Sequence, residues 1–421
     1  MGQQIELPHL EGRRHRRRGV ALAYTAVALV VFIGFVALAT DAGRLLMASS
    51  ELQTGADAAA RAGIWRVPLL DFDGAIDNAV TTAAANAAAR ESIVVNGTSD
   101  IEFGIWRRGL RTFTPVPVAL RNTANAIRVT ATRLKSRNQE IPFVFAGALG
   151  HESGQAQASA IAMIRGGWRY RGGLGIVGIT SVSLNGTTRT DSYDPTAGAY
   201  DPATANDYGS IASNGDIELV GTVDINGDAR PGPSPDDTLS VNSNSDISGW
   251  RAPIDEEMYF PPATLPATYD NTDISLYMNA QGDFIQNGKT TMTVPEGTFV
   301  VRDLDLRANQ TIATTGPVTI YVTGNVDLTG TTTVNAGLPA NFKIFVIGSG
   351  TVELGGGSAL YAQVYAPQSD VTIHGTSTNF GLFGSVVGNS LTILGNSAIH
   401  YDESTGINPG IADEFYVELV K

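Results

Sequence analysis

The chain has 421 residues, a formal net charge of -13 and no cysteine. Its length allows two or three domains of roughly 100–200 residues each, and its 43% hydrophobic residues exclude wholesale disorder. The absence of cysteine excludes disulfides, thiol catalysis and Cys-ligated metals, and it is typical of an oxidising compartment. Residues 1–19 carry five Arg and two Glu, so the remaining chain is strongly acidic and repels phosphate backbones. Nucleic acid is therefore disfavoured as a partner.

A run without a charged residue extends from Val20 to Ala39. At 1.5 Å per residue, a helix of this length spans roughly the 30 Å of a bilayer's hydrocarbon core. We predict a cytoplasmic basic tail (residues 1–19), a transmembrane helix (20–40) and a body outside the cytoplasm, because Arg clusters stay on the cytoplasmic side. The residues assigned to the anchor are Val20, Leu29, Phe32, Phe35 and Leu38, and those assigned to topology are Arg13, Arg14, Arg16, Arg17 and Arg18.

The alternative to an anchor is a cleaved signal peptide. The sequence Ala37-Leu38-Ala39 fits the A-x-A cleavage pattern. The apolar run is nevertheless longer than the usual 7–15 residues of a signal peptide, and the helical pattern continues beyond it without a break. The interpretation as an uncleaved single-pass anchor is favoured.

A helical stem and a small α+β unit are predicted for residues 41–165. Small and apolar residues recur at helical spacing after Asp41 and suit close packing against another helix, with Pro68 ending the segment. A second helix is expected from Asp73 to Arg90, capped by Asp71 or Asp73. Strands are expected over Ser92–Val95, Ile101–Trp106 and Ala126–Thr132, with Asn96-Gly97 as the turn between the first two. The stem-packing residues are Leu45, Leu52, Ala56, Ala59 and Gly63.

Several sequence blocks in this region resemble the TadG-like N-terminal module of Tad/Flp pilus-assembly proteins. The resemblance covers roughly residues 13–165 and implies a membrane-anchored component or relative of a pilus-assembly system. The blocks are Arg17-Arg18-Gly19, Asp41-x-Gly43-Arg44, Glu51-Leu52-Gln53-x-x-x-Asp57-Ala58-Ala59-Ala60, Ala126-Ile127-Arg128-Val129-Thr130, the stretch from Pro142 to Gly150 and the Ala-rich stretch 156–162.

Two departures from related families limit what the resemblance implies. Pilins are cut after a Gly and carry Glu five residues on; with Gly19 as the cut site, that position is Tyr24. The anchor is therefore interpreted as unprocessed, and the chain as something other than a filament subunit. Longer relatives carry a D-x-S-x-S metal motif that this sequence lacks, so metal-dependent adhesion is not carried over.

The second half of the chain is predicted to be all β. Short β-type runs ending in Gly, Asn or Asp recur between Thr180 and Leu394, after a Gly/Arg-rich linker at residues 166–175. A single strand-turn unit cannot bury its own apolar face, so we predict a right-handed parallel β-helix over 176–410 with about 20 residues per coil. An antiparallel β-sandwich is the alternative. Residues 411–421 are expected to be a tail or a closing strand, and the Pro-rich stretch 251–273 a loop on the flank, anchored by Tyr259 and Phe260.

Candidate catalytic and metal sites are sparse. Asp224, Asn226 and Asp228 resemble the start of a calcium loop, but Pro235 stands where an EF-hand needs Glu, so a self-bonded turn is favoured over weak metal binding. Asp191 and Asp194 are candidates for paired carboxylates of a polysaccharide enzyme, with no basic partner evident nearby. The five His are scattered without metal-ligand or triad spacing, and neither a P-loop nor a G-x-S-x-G motif occurs. The stretch Gly173–Gly178 matches G-x-G-x-x-G, but a strand rather than a helix is expected after it, so a linker is favoured.

We therefore expect a non-enzymatic protein of the bacterial inner membrane, associated with Tad/Flp-type pilus assembly or surface presentation, without a cofactor. Its bulk would be periplasmic or extracellular, and its stem would contact other pilus-assembly or envelope proteins. The alternatives are a surface adhesin or glycan-binding β-helix protein unconnected to pili, and a β-helical polysaccharide-degrading enzyme. A glycan or protein ligand on the solenoid is compatible with the first two hypotheses.

Overall fold

The N-terminal helix is continuous from the apolar run into the folded body. A computed structural model describes residues 17–166, 174–285, 290–307, 310–333, 337–356, 359–406 and 416–420. Helix α1 spans Arg17–Ile64 without interruption. The expected linker falls largely on residues 167–173, outside the described residues, although Leu174 at its end is buried.

Helix α1 packs across an antiparallel sheet to form the N-terminal module. The strands of the module are β1 Ala87–Ala88, β2 Glu91–Ser92, β3 Ile101–Arg107, β4 Thr112–Pro115, β5 Ala126–Arg133, β6 Ile141–Pro142, β7 Ser153–Gly154, β8 Ala156–Arg165 and the C-terminal strand β27 Tyr416–Val420. The order of strands in the sheet is β27-β8-β5-β3-β4. The buried face of α1 contacts helix α2 (Phe72–Ala84) and the strands β5 and β8.

The second helix is shorter than predicted. Asp71 caps it by accepting the Gly74 N–H at 2.9 Å, but it ends at Ala84 rather than Arg90. Ala89 and Arg90 adopt positive φ in the tight turn between β1 and β2, where the Ala89 N–H donates to the Glu51 carboxylate at 2.7 Å. This contact from α1 outweighs the local helix preference.

The strand predicted over Ser92–Val95 is also wrong. Only Ser92 belongs to a strand, and Asn96 forms a side-chain-capped turn in which its Oδ1 accepts the N–H groups of Thr98 and Ser99.

The region from residue 174 to residue 406 is built of parallel strands in a solenoid-like arrangement. Every pair of named strands in its described part is parallel, so the antiparallel sandwich alternative is wrong. Its first strands are β9 Ile176–Tyr193, β10 Ile211–Ala212, β11 Asp216–Ile225, β12 Ala229–Arg230, β13 Leu239–Val241 and β14 Asp246–Ile247. The later strands are β15 Phe284–Ile285, β16 Thr291–Val294, β17 Gly297–Val301, β18 Leu304–Leu306, β19 Thr311–Thr314, β20 Val318–Val322, β21 Val326–Leu328, β22 Thr331–Thr333, β23 Phe342–Val346, β24 Val352–Gly356, β25 Leu360–Ala366 and β26 Val371–Asp402.

Successive strands stack in rungs separated by about 20 residues. Thr291, Thr311 and Thr331 are in register on one face of the solenoid-like region. Along each strand, buried Val, Ile, Leu and Phe alternate with outward Thr, Asp or Tyr, as in the pattern of β20. The inward residues of all rungs form one continuous core, because each rung covers the apolar edge of the next.

The order of the rungs differs from their order in the sequence. Val386 of β26 pairs with Ile176 of β9, so the last rung in the chain stacks on the first. The rungs of residues 176–247 then continue away from that contact through β11, β13 and β14. The β region is thus one stack made from two separate stretches of chain.

A long connection between these two stretches crosses the sheet face. The Ile254 N–H donates to Pro231 O at 2.9 Å near one end, the Tyr365 hydroxyl donates to Pro261 O at 2.6 Å midway, and the Asp270 N–H donates to Thr298 O at 3.1 Å near the other end. Phe260 is buried in this contact as expected, whereas Tyr259 is 68% exposed and does not anchor the loop.

The N-terminal module and the β region are joined by side-chain and strand contacts. Trp250 is fully buried in the core of the N-terminal module, and its Nε1–H donates to Ala124 O at 2.7 Å. Arg165 of β8 binds Asp255 at 2.6 Å and Glu256 at 2.8 Å. The closing strand β27 pairs with β8, so it completes the N-terminal sheet rather than the solenoid.

Three glycines let the rungs approach closely at a bend. Gly186, Gly221 and Gly395 are in register and all have positive φ. A Cβ on Gly186 would lie 2.5 Å from the Gly395 carbonyl oxygen, which requires the backbones to move apart.

We expect Gly186→Ala to lower the free energy of unfolding by about 3 kcal/mol, because it combines left-handed backbone strain with a steric clash. Gly198→Ala is the matched control: its φ is also positive, but no atom lies within 4 Å of its Cβ position, so about 1 kcal/mol is expected. Chemical denaturation of the detergent-solubilised chain, followed by circular dichroism, compares the two. Equal midpoints would contradict the assigned role of rung stacking.

Candidate functional sites

The first part of α1 has no protein cover. Leu29, Phe32, Phe35 and Leu38 are 59–69% exposed, and no side chain of residues 21–40 is buried. In the described part of the chain, α1 is the one helix long and apolar enough to cross a membrane. Arg13, Arg14 and Arg16 lie outside the described residues, as do the side chains of Arg17, Arg18 and Val20.

Asp41, directly after the apolar segment, binds a loop more than 100 residues away. Its carboxylate accepts the backbone N–H groups of Val144, Phe145 and Ala146 at 2.8, 3.0 and 2.7 Å. Burial raises the pKa of Asp41, but these three bonds and nearby Arg44 outweigh burial and hold the pKa below its usual value. The sequence motif pointed to Asp41 but gave no indication of its partner.

The predicted stem stripe is buried within the chain. Leu52, Ala56 and Ala59 are fully buried, and Gly63 is buried where a Cβ would lie 2.9 Å from the Ala75 carbonyl oxygen. Leu45 is half-buried near Gly154. Helix α2 and the sheet of the same chain cover this stripe. A partner would have to bind another face of α1.

The polar residues of the stem motif hold the module together. The Glu51 carboxylate fixes the β1–β2 turn. The Gln53 side-chain amide donates to Asp57 at 2.8 Å and to the Ser159 carbonyl oxygen of β8 at 3.1 Å. These contacts give a physical reason for Glu, Gln and Asp at this spacing along an otherwise small-residue helix.

A second polar cluster lies in the β region around Asp191. The fully buried Asp191 carboxylate contacts His400 Nδ1 at 2.6 Å, the Tyr200 hydroxyl at 2.8 Å and Arg189 Nε at 3.0 Å. The imidazole of His400 also packs against the rings of Tyr200 and Phe383, with centroids 3.9 and 4.6 Å away. The sequence did not reveal a basic partner for Asp191, whereas the structure places two against it, Arg189 and His400.

Asp191 and His400 meet because they are in register on stacked rungs. Their separation of 209 residues conceals this, but a signal existed in the sequence. The stretches Ser181–Gly186 and Ser390–Gly395 share an alternating apolar pattern that ends in Gly. Aligning those glycines would have placed position 191 beside 400. His374, by contrast, pairs with Gly355 and lies on a different rung from His400.

A groove of about 540 Å³ opens beside this cluster. Its lining combines Thr, Asn and Ser side chains with Tyr200 and His400, and most of its exposed surface is apolar. The polar lining residues include Thr187, Thr222, Asp224, Asn396 and Ser397. The groove can offer hydrogen bonds to a polar ligand.

The proposed pair of catalytic carboxylates does not form. Asp191 is buried and its oxygens are already bonded, so it is poorly suited to protonating a leaving group. Asp194 is exposed, and hydrogen bonds from the Thr196 side chain and backbone lower its pKa. A glycosidase acid needs a raised pKa and access to substrate.

The candidate metal residues do not converge either. Asp224 points outward from β11, and the Asn226 side chain donates to the Thr190 carbonyl oxygen. Asp228 is buried and accepts the Trp250 N–H at 2.7 Å. Over the described residues, no group of three or more His, Asp or Glu is placed to hold a metal ion.

Comparison with protein families identifies the N-terminal module. Residues 19–91 match a family model described as Flp pilus-assembly TadE/G-like, and residues 68–162 match one described as Tad-like Flp pilus-assembly. Residues 19–162 carry Tad-type pilus-assembly domains. Residues 267–406 match a domain of unknown function, DUF7305. That domain begins within the long connection and covers the rungs up to β26.

No curated protein sequence matches the chain. Among solved structures, the crystal structure of the competence-associated pilin ComZ from Thermus thermophilus is similar at 12% identity. The likeness covers 87% of this chain and 98% of that one with a TM-score of 0.22, which is too low to bear on fold or function.

The three hydrogen bonds from residues 144–146 to the Asp41 carboxylate, here called the Asp41 clamp, are expected to break at acid pH. A carboxylate whose pKa is lowered in the folded chain stabilises that chain fully at pH values above its pKa in the unfolded chain, which is about 3.8. This stability is lost as the pH falls through the pKa of the group in the folded chain. Hydrogen-exchange protection of the amides at 144–146 should therefore be complete down to about pH 4 and be lost only as the pH falls further, through the lowered pKa of Asp41 in the folded chain. Amides of the β5–β8 ladder serve as the internal control, and Asp41→Asn should remove the pH dependence. Protection that is unchanged in acid would refute the clamp.

The Asp191 cluster is expected to stabilise the meeting point of the two stretches of rungs. We expect Asp191→Ala to lower the free energy of unfolding by about 3–5 kcal/mol, because removing one partner leaves buried polar groups uncompensated. The matched control Asp194→Ala, at an exposed carboxylate that accepts hydrogen bonds from Thr196 of its own turn, should shift the denaturation midpoint far less. Similar midpoints for both variants would show that the cluster contributes little to stability.

Proposed function

We propose that this chain is a non-enzymatic, membrane-anchored component of Tad/Flp-type pilus assembly. One observation carries the proposal: two pilus-assembly family models match overlapping segments spanning residues 19–162. That range coincides with α1 and the sheet on which it packs, so the matches describe one folded unit. The proposed location is the bacterial inner membrane, with the N-terminus cytoplasmic and the body periplasmic or extracellular.

The anchor interpretation draws on charge, length and exposure together. Five Arg precede an apolar segment whose described side chains have no protein cover. The helix continues without a break from that segment into the buried stem, which favours an uncleaved anchor over a removed signal. Tyr24, where a pilin would carry Glu, argues against a filament subunit.

The β region is proposed to be a right-handed parallel β-helix. Three short strands recur in each rung from β16 to β24, and each pairs with its equivalent in the next rung. Connections between parallel neighbours in one sheet are right-handed in nearly all proteins. An extended surface of this kind can contact another assembly protein along many rungs.

The contacts between the N-terminal module and the β region support a role in which the chain holds the β region in place for its partners. Trp250, the Arg165 ion pairs and β27 fix the β region to the module that holds the anchor. A body fixed in this way keeps one orientation relative to the anchor helix. The chain would therefore present a fixed protein surface to partners beside it.

The test is capture of the intact chain from membranes of its own host under conditions in which pili are made. A tagged chain should co-purify with pilus-assembly proteins after crosslinking, as measured by quantitative mass spectrometry. The matched control replaces residues 1–40 with a cleavable signal peptide, so that the same body is released from the membrane. The captured pilus proteins should decrease strongly in this control.

Deletion of the chain should also lower the number of pili per cell in electron micrographs, with recovery on complementation by the full-length protein. If no pilus component is enriched and pilus number is unchanged, the proposal fails. That result would favour an adhesin unconnected to pili.

A further inference from the structure

We propose that the loop of residues 142–150, the exit loop, is a lipid-contacting element that docks the folded body on the bilayer. In this arrangement Val144 and Phe145 enter the headgroup layer beside the point where α1 leaves the hydrocarbon core. The inference rests on the proposed membrane anchor, and it names a second contact with the same membrane.

The depth of the exit loop is set by Asp41. Asp41 is the first residue after the apolar segment 20–40, so its position marks the outer boundary of the hydrocarbon core. Three N–H groups of the loop bind its carboxylate at 2.7–3.0 Å. The backbone of Val144 and Phe145 is therefore held at that level, close to the helix.

The base of the exit loop is ordered by contacts within the module. Strands β6 and β7 pair across it, and the Phe143 N–H donates to Glu152 O at 2.9 Å. Leu45 and Phe143 both pack against Gly154 of β7. These contacts hold the base against α1, so the position of the loop does not depend on the Asp41 bonds alone.

The exposed side of the loop is apolar. Val144 is 57% exposed and Phe145 is 45% exposed, although both lie on backbone held by hydrogen bonds. Leu46 and Met47 of α1 are 72% and 65% exposed and lie within about 10 Å of the end of the apolar segment, at 1.5 Å per residue. Four exposed apolar side chains thus lie at the depth of the lipid headgroups.

Charge at this surface is also compatible with lipid. The nine residues from Pro142 to Gly150 include no charged side chain. The Asp41 carboxylate is saturated by backbone donors and is 2% exposed, so it presents little free negative charge. Arg44 lies near Asp41 and can reach lipid phosphates, while His151 and Glu152 follow the loop at its base.

A lipid surface explains these observations better than a protein partner does. The four apolar residues come from two separate segments, and what they share is their distance from the end of the apolar run. A surface that binds a protein partner does not need to lie at a fixed distance from the end of the apolar segment. With the exit loop in the bilayer, the body has two attachments instead of a single helix, which restricts its tilt on the membrane.

Because the chain has no cysteine, single spin labels can test the inference in the full-length protein. The substitutions are Phe145→Cys for the loop, Leu38→Cys for the anchor and Leu276→Cys for the aqueous control. Leu276 is 83% exposed in the β region. The labelled chains are reconstituted in vesicles of phosphatidylethanolamine and phosphatidylglycerol, and label collisions with oxygen and with a water-soluble nickel complex are measured by electron paramagnetic resonance.

The label at position 145 should collide several-fold more with oxygen, relative to nickel, than the label at position 276, and should approach the value at position 38. Adding Asp41→Ala should move the label at 145 toward the aqueous value and leave the label at 38 unchanged. Restoring the carboxylate with Asp41→Glu should recover part of the lipid signal.

The outcomes separate the inference from the proposed function. A lipid signal at position 38 with an aqueous signal at position 145 overturns the docking loop and leaves the anchor intact. An aqueous signal at position 38 overturns the anchor and the inference together. The label at position 145 could also give an aqueous signal in vesicles but be protected from the nickel complex in native membranes. That result would assign the apolar patch to a protein partner and would also overturn the lipid inference.

Discussion

Val386 of β26 stacks on Ile176 of β9 in parallel register, and the rest of the β region depends on this contact. Parallel neighbours cannot be joined by a tight turn, so the chain must travel a full rung or farther before it pairs again. Here it travels much farther: it completes the rungs of residues 176–247, crosses the sheet face, and builds the remaining rungs back toward its own start. Without that contact, two open-ended stacks would each expose an apolar end.

The same arrangement places otherwise distant residues together. Asp191 and His400 are neighbours only because the last rung lies on the first. The connection has to cross the sheet face because the first stretch ends at one end of the stack and the second stretch begins at the other. Trp250, where the first stretch ends, reaches the core of the N-terminal module, and the chain returns at its end to add β27 to the N-terminal sheet. The β region and the module are thus linked at several points along the sequence.

These links give the proposed function a mechanical basis. A helix with uncovered apolar sides continues into a stem that is buried in the N-terminal module, and the module is fixed to the β region. Motion of the body relative to the anchor is restricted, since the small residues on the stem leave little space between α1 and the sheet. The stripe that resembled a partner-binding face is used for this internal packing. Contacts with other assembly proteins are therefore expected on the outward side of the rungs or on the remaining faces of α1.

The sequence by itself determined the elements whose signals are local. Three local patterns predicted the observed elements: the unbroken apolar length of residues 20–40, the helical spacing of Leu52, Ala56 and Ala59, and the alternation in β5 and β20. Side-chain periodicity follows directly from backbone geometry. The cap at Asp71 was equally local. The stem motif pointed to the pilus-assembly family for the same reason, since it lies within one helix.

Tertiary structure decided what depends on distant partners. Helix α2 ends at Ala84 because Glu51 of α1 stabilises the following turn. Asp41 is a clamp only because the exit loop folds back to it, and Asp191 acquires its His only through the permuted order of the rungs. A local sequence pattern indicates which face of a strand or helix is apolar, but it does not indicate which segment covers that face. The packing of the whole chain determines the covering segment, because contacts between residues 100–200 positions apart outweigh the local preference for helix or strand.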